Sequence, residues 1–158
     1  VGYRNIELMA LEDGTGVDLG NGIAVTAFAV PHRREFSETV GFRIDGPAKS
    51  AIFIPDINGW DVFDDAGTRI ETLIEATDYA FLDATFYGDE LPDISRFPHP
   101  KILGQMDRFD ALSESEREKV RFIHLNHSNP ALLPGSKESK HVEARGYRVA
   151  AERELYCL

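Results

Sequence analysis

The first third of the chain alternates short apolar stretches with turn residues, a pattern typical of β-strands joined by hairpins. The turns are marked by Asp13-Gly14 and by Gly20-Asn21-Gly22. The predicted strands cover residues 6–11, 23–30, 39–44 and 50–54. Strands joined by short turns pair most simply with their neighbours, so we expect an antiparallel meander.

After residue 68 the pattern changes to alternating helix and strand. Ile70, Leu73 and Ile74 have the spacing of one helix face, and an apolar strand follows at residues 79–82. Strands followed by repeated helix-strand units predict a single α/β domain, built as a mixed sheet with helices on one face.

Two further helices are predicted by their ends. Ser113 with Glu116 three residues later has the spacing of a capping box, which predicts a helix to about residue 119, followed by a strand at 120–125. Residues 136–145 form the next predicted helix, which Gly146 can terminate, and residues 147–151 the last strand.

Composition limits the classes of function. The chain has 158 residues, 42% hydrophobic and 28% charged, as expected for a globular domain, and its net charge of −10 argues against binding to duplex DNA. Its apolar runs are too short to span a bilayer, so no membrane role is predicted. The single cysteine, Cys157, cannot form an internal disulfide and fits a reducing compartment, so we expect a cytoplasmic protein.

Two of the predicted strands end in residues that can bind a metal. The strand at 50–54 leads through Pro55 to Asp56, and the strand that begins at Val120 leads to His124. A carboxylate and an imidazole at neighbouring strand ends can converge on one ion. Taken singly, Asp56 also suits a turn or helix cap, and His124 a structural histidine. A catalytic zinc site needs a third protein ligand, which must come from elsewhere.

Other polar residues lie near these strand ends. His99, between Pro98 and Pro100, is held on an extended backbone and is a candidate catalytic residue, although a surface loop histidine fits the same pattern. Asp83 ends another apolar strand and rivals Asp56 as a ligand. The residues we expect to support the ligands or face a substrate are His127, Asp83, Asn126 and Asn129. The turn-rich sequence around His127 predicts a loop, and we assign no role to His32 or His141.

These segments resemble the second half of the metallo-β-lactamase superfamily, on residues from about 25 to the end. The matching pieces are Ile54-Pro55-Asp56, Leu82-Asp83-Ala84-Thr85-Phe86, the loop with His99, and His124-Leu125-Asn126-His127-Ser128-Asn129-Pro130. The resemblance is strongest to the branches that contain the pyrroloquinoline-quinone biosynthesis B proteins, the tRNA 3′-processing endonucleases and the phosphonate phosphodiesterases.

The resemblance implies an αββα sandwich in which Asp56 and His124 bind metal, Asp83 is not a direct ligand, and His99 lies near the scissile bond. The superfamily's H-x-H-x-D-H signature belongs to the first half of that fold and is absent from these 158 residues. Together with a start at Val1, this favours a chain that is the C-terminal half of the domain and that needs the N-terminal half as its partner.

Three functions remain open. The first is a hydrolase that activates a metal-bound water against an ester or phosphodiester of a small molecule, with one or two zinc ions and with iron or manganese as alternatives. In this function Asp56 is also a catalytic residue, which positions the ion and helps to orient the hydroxide. The second, also implied by the resemblance, is an iron-dependent oxygenase of cofactor biosynthesis. The third is a degenerate binding or carrier module. No Gly-rich phosphate loop, G-x-S-x-G motif or paired cysteine motif is present. A homodimer is a further possibility.

Overall fold

The computed structural model describes residues 4–7, 9–33 and 35–158, and there seven strands form one sheet in sequence order. The strands are β1 Gly16–Gly20, β2 Ile23–Ala29, β3 Val40–Asp45, β4 Ser50–Ile54, β5 Tyr79–Asp83, β6 Val120–Ile123 and β7 Arg148–Val149. Neighbours from β1 to β4 are antiparallel, and those from β4 to β7 are parallel. The predicted meander and the mixed sheet are both confirmed.

Short helices connect the parallel strands. Such strands need crossover connections because the end of one strand and the start of the next lie at opposite edges of the sheet. The helices are α1 Trp60–Asp65, α2 Ile70–Glu75, α3 Ile102–Arg108, α4 Glu114–Arg117 and α5 Lys137–Ala144, with 3-10 turns at Ile94–Arg96, Phe109–Ala111 and Pro130–Leu132. None of the helices in the described ranges has the length and apolar composition needed to cross a bilayer.

The core lies between one face of the sheet and the helices. Ile52, Leu82 and Phe122 occupy paired or adjacent positions on that face and are fully buried. They belong to one cluster with apolar residues of α1, α2, α3 and α5, among them Ile74 and Met106. Burying side chains of this size stabilises the fold by roughly 1.5–3 kcal/mol each.

The opposite face of the sheet is apolar but only half-buried. Phe42, Phe53 and Phe81 are aligned across β3, β4 and β5, so they lie side by side on this face. Tyr156 of the C-terminal segment covers part of it, its ring 4.9 Å from that of Phe81 and 5.0 Å from that of Tyr79. No helix of the core cluster lies on this side of the sheet.

Some predicted elements were wrong or missed. The strand predicted at 6–11 is not present in the described residues of that segment: Ile6, Met9 and Leu11 are 58%, 75% and 47% exposed, so no pairing partner buries them. The strand β1 and the helices α1 and α3 were not predicted, and β7 is two residues long rather than five. Both missed helices begin without a side-chain cap, so neither carries a start signal in its sequence.

The predicted helix ends were confirmed. The Ser113 hydroxyl accepts a hydrogen bond from the backbone N–H of Glu116 at 3.3 Å, as the capping-box spacing predicts. At the end of α5, Gly146 has φ of 86°, a conformation that glycine adopts without strain. The N–H groups of Gly146 and Tyr147 then bond to the carbonyls of Glu143 and Val142, which satisfies the end of the helix.

Arg108 joins three helices. From α3, its Nε donates to Glu71 of α2 at 2.6 Å, and its Nη2 donates to Asp64 of α1 at 2.6 Å. Burial alone raises the pKa of Glu71, but the hydrogen bonds from Arg108 and its charge outweigh burial and lower that pKa from 4.5 to about 2. Glu71 is therefore ionised at neutral pH and stabilises the helix layer through Arg108.

We expect Glu71→Gln to destabilise the protein at pH 7 by about 1–3 kcal/mol, and by much less near pH 2. The folded-state pKa is lowered, so this stabilisation is present above about pH 4.5 and is lost as pH falls towards about 2. Urea unfolding at pH 7 and at pH 3 measures the difference. Glu75→Gln, on the exposed side of the same helix, is the control. An equal effect of Glu71→Gln at both pH values contradicts the assignment.

Candidate metal centre

Four polar side chains converge at one edge of the sheet. Because β4, β5 and β6 are parallel, their carboxyl ends meet at the same edge. Asp56 follows β4, Asp83 is the last residue of β5, and His124 directly follows β6. His99 arrives on the loop before α3, which is held beside the extension of β5 by a bridge between Phe86 and Lys101.

These four residues form a set that can hold a metal ion. One ligand-type atom from each of Asp56, Asp83, His99 and His124 lies within 4.8 Å of every other. The ring centroids of His99 and His124 are 5.6 Å apart. The two predicted ligands, Asp56 and His124, are therefore together in space with the predicted catalytic residue His99.

Asp83 is at the centre of the set and is fully buried. Its Oδ2 accepts from the backbone N–H of Ile57 at 3.0 Å and lies 2.9 Å from His99 Nδ1. Its Oδ1 accepts from the Thr85 N–H at 3.0 Å and hydroxyl at 2.7 Å. Burial opposes ionisation, but the nearby imidazole of His124 and the hydrogen bonds from His99 and Thr85 outweigh it and lower the pKa of Asp83. Both oxygens are already engaged, which suits a carboxylate that orients histidines.

Asp83 lies beside both histidines and fixes the orientation of His99. A carboxylate accepts hydrogen bonds only, so the Nδ1 of His99 carries the proton it shares with Asp83 and leaves Nε2 with its lone pair. His124 Nδ1 lies 3.4 Å from Asp83 Oδ1, and this carboxylate raises the pKa of His124 against the opposing effect of partial burial. His124 also has φ of 60°, a left-handed conformation that is uncommon outside glycine and concentrates at functional sites.

Asp56 has an oxygen without a hydrogen bond. Its Oδ1 is buried and has no hydrogen-bond partner, although His32 Nε2 lies at an ion-pair distance of 2.7 Å and His99 Nδ1 lies 3.6 Å away. A buried carboxylate oxygen in that condition costs free energy, which a bound cation would offset. The donor set of carboxylate and imidazole is one that zinc, iron and manganese all accept. The residues present therefore fit a metal ion.

His32 is a member of the site to which the sequence assigned no role. Its loop follows β2, and β2 runs in the same direction as β4 because each is antiparallel to β3, so both end at the same edge. A hydrogen bond of 2.8 Å from the Asn58 N–H to the Pro31 carbonyl holds the loop beside Asp56. The predicted meander could have indicated a role for His32, because it already placed the end of β2 at the edge of the sheet where β4 ends.

The loop after His124 carries the remaining predicted residues. Asn129 is buried, donates to the carbonyls of Ala84 and Thr85 at 3.2 and 3.3 Å, and caps the following turn by accepting from the Ala131 N–H at 3.0 Å. Asn126 donates from its side chain to Ser128 at 2.9 Å. His127 lies exposed in a turn, as the loop prediction required. The Asn129 contacts hold the loop against the residues that follow β5. A substrate-facing role for His127 stays a prediction.

The fold and the edge site define an α/β protein of the metallo-β-lactamase type. Residues 2–125 match the family model described as "Beta-lactamase superfamily domain". The chain belongs to the β-lactamase superfamily.

Among curated relatives, the chain is similar to the proteins named "Coenzyme PQQ synthesis protein B". It is 28% identical to the one from Gluconobacter oxydans over 149 residues, 84% of this chain and 47% of the relative. It is 30% identical to the one from Methylobacterium sp. (strain 4-46) over 146 residues, 82% of this chain and 48% of the relative. The chain thus spans about half the length of these relatives.

Two solved structures share the fold. Zinc-bound PqqB from Methylobacterium extorquens aligns with a TM-score of 0.64 and 23% identity, over 90% of this chain and 52% of that one. The metallo-beta-lactamase fold protein YhfI from Bacillus subtilis aligns with a TM-score of 0.51 and 17% identity, over 75% of this chain and 43% of that one. The predicted fold class and superfamily are both confirmed.

Proposed function

We propose that the chain supplies half of the active site of a metal-dependent hydrolase. The observation that carries this proposal is the buried Asp56 oxygen without a hydrogen bond, placed beside His124 and beside His99, which is oriented by Asp83. Asp56 and His124 would hold the ion, and His32 adds a further imidazole next to Asp56. Zinc is the proposed metal, supported by the zinc in the similar PqqB structure.

A bound ion of this kind lowers the pKa of a water ligand to about 7 and polarises a substrate oxygen. The chain's own residues prepare the proton transfers. The Nδ1–H of His99 is held by Asp83 at 2.9 Å, so the ring has a fixed orientation with Nε2 able to accept or return a proton. Phe86, with its ring centroid 6.4 Å from that of His99, limits the positions that this ring can take.

His99→Ala is expected to lower turnover about 10²–10⁴-fold while the zinc content per chain stays at the wild-type value. The imidazole would transfer protons rather than hold the ion, so its loss affects the rate and not the occupancy. Both quantities are measured in the full-length protein that carries both halves of the fold, by hydrolysis of bis(p-nitrophenyl) phosphate and of p-nitrophenyl acetate and by metal analysis of the same samples. His141→Ala, on α5 outside the set, is the control. A loss of zinc as large as that in a ligand variant means that His99 is itself a ligand.

The likeness to proteins named for PQQ coenzyme synthesis supports a second candidate, an iron-dependent oxidation in cofactor biosynthesis. The donors of the site, histidine and carboxylate, also suit non-haem iron. Iron in the purified protein, with oxygen consumption and no hydrolysis of either ester, favours this candidate. A protein that binds neither zinc nor iron and shows neither hydrolysis nor oxygen consumption would favour the third function, a binding or carrier module.

We also propose that the half-buried sheet face packs against the N-terminal half of the same fold. Two findings support this proposal: the chain spans about half the length of its relatives, and Phe42, Phe53 and Phe81 lie together on the face opposite to the helices of the core cluster in the described part of the chain. That partner half would also supply the ligands that Asp56 and His124 leave unfilled. A small-molecule substrate would then bind where the two halves meet.

A further inference from the structure

Thr85 lies between the buried carboxylate and the most exposed histidine of the site. Its Oγ1 is 2.7 Å from Asp83 Oδ1 and 3.0 Å from His124 Nδ1. The residue is 7% exposed, and its backbone is tied on both sides: its N–H donates to Asp83, and its carbonyl accepts from the N–H of Asn126 at 2.9 Å. The hydroxyl therefore has little freedom to bond elsewhere.

Counting protons fixes the direction of both hydrogen bonds. The carboxylate of Asp83 is ionised and can only accept, so Thr85 donates its single proton to it. The hydroxyl oxygen of Thr85 then has only lone pairs for His124, and the hydrogen bond of 3.0 Å requires the proton to be on Nδ1 of that ring. In this arrangement the Nε2 of His124 is the nitrogen with a free lone pair.

The surroundings of His124 do little else to fix the ring. Its side chain is 41% exposed, and its backbone is in the left-handed region, so neither burial nor a preferred backbone conformation selects the orientation or the tautomer. Asp83 Oδ1 also lies near this ring, but its distance of 3.4 Å from His124 Nδ1 is longer than that of a good hydrogen bond.

We propose that Thr85 is a positioning residue that holds His124 in its Nδ1–H tautomer and so presents Nε2 as the metal-binding nitrogen. Metal binding through Nε2 rests on the proposed function, whereas the assignment of the Nδ1–H tautomer does not. Hydrogen bonds of this kind to a ligand histidine typically contribute 10- to 100-fold to metal affinity.

The test compares the wild-type protein with Thr85→Val, which keeps the shape and removes the hydroxyl, and Thr85→Ser, which keeps the hydroxyl and removes the methyl. In the metal-free proteins, above the pH at which imidazole titrates, ¹⁵N-edited NMR of the ring nitrogens gives the tautomer of His124. Zn²⁺ affinity is measured by competition with a chromophoric chelator. We expect Thr85→Val to lose the Nδ1–H tautomer and to bind Zn²⁺ about 10–100-fold more weakly, and Thr85→Ser to match the wild type in both.

Three results overturn the proposal. The first is an Nε2–H tautomer in the wild-type protein, which needs no variant, and the second is an unchanged tautomer in folded Thr85→Val. Equal damage in Thr85→Ser and Thr85→Val also overturns it, because the methyl group and not the hydroxyl is then what the site requires. Failure of the proposed function is distinguishable. It gives a wild-type protein that binds no Zn²⁺, while the tautomer comparison still decides the role of Thr85.

Discussion

Asp56→Asn is expected to lose zinc binding by more than about 100-fold, beyond the loss expected for a residue that only supports a ligand. The substitution keeps the size of the side chain and removes its charge. The Asp56 Oδ1 has no hydrogen-bond partner, and its contact of 2.7 Å with His32 Nε2 is the interaction that the substitution weakens. Because the Asp56 side chain is partly exposed, we expect the free energy of unfolding of the metal-free protein to fall by no more than about 1 kcal/mol.

Zinc titration and urea unfolding of the same samples separate these two effects. Asp65→Asn, at the exposed end of α1, makes the same change of charge outside the site and is expected to leave zinc affinity unchanged. Full zinc affinity in Asp56→Asn would remove this residue from the ligand set. Asp83 would then be the carboxylate that binds the ion, and the orienting role assigned to it would be wrong.

The sequence predicted those parts of the fold that depend on local signals. Ser50–Ile54 was predicted with its observed bounds because a short apolar run is closed by Pro55. The end of α5 was predicted because Gly146 meets a conformational requirement that few residues meet. The helices α1 and α3 carry no such signal: each has fewer than eight residues, and α3 contains Gly104, which lowers helix propensity. Their stability comes from burial of Phe63, Met106 and similar side chains, a tertiary effect.

The residues of the site also fall into two groups, those that the sequence could predict and those that only the folded chain reveals. Asp56 and His124 were predictable because residues that follow parallel strands meet at one edge of a sheet. The loop that brings His32 to Asp56 is held by the hydrogen bond between Asn58 and Pro31, which no spacing in the sequence encodes. The orienting role of Asp83 follows from its hydrogen bonds and its complete burial, and both require the folded chain.

Residues 1–158 on their own are expected to associate through the half-buried sheet face. Phe42, Phe53 and Phe81 lie side by side there, and Tyr156 of the C-terminal segment covers the part of this face near Tyr79 and Phe81. Contiguous apolar surface of this kind marks an interaction site, and each aromatic ring removed from water stabilises the contact by roughly 1.5–3 kcal/mol. In the absence of the N-terminal half, a second copy of the chain can cover the face.

Phe53→Lys should therefore weaken the association by about tenfold or more, since it places a charge in the middle of the face. Phe36→Lys makes the same change at a fully exposed loop position and should leave the association unchanged. Sedimentation velocity over a range of protein concentrations measures both. A wild-type chain that stays monomeric at every concentration, unfolds cooperatively and holds one tightly bound zinc ion would show that the face needs no partner and that its own residues complete the site. The ligands would then have to include His32, His99 or Asp83 beside Asp56 and His124, because a catalytic zinc ion takes at least three protein ligands.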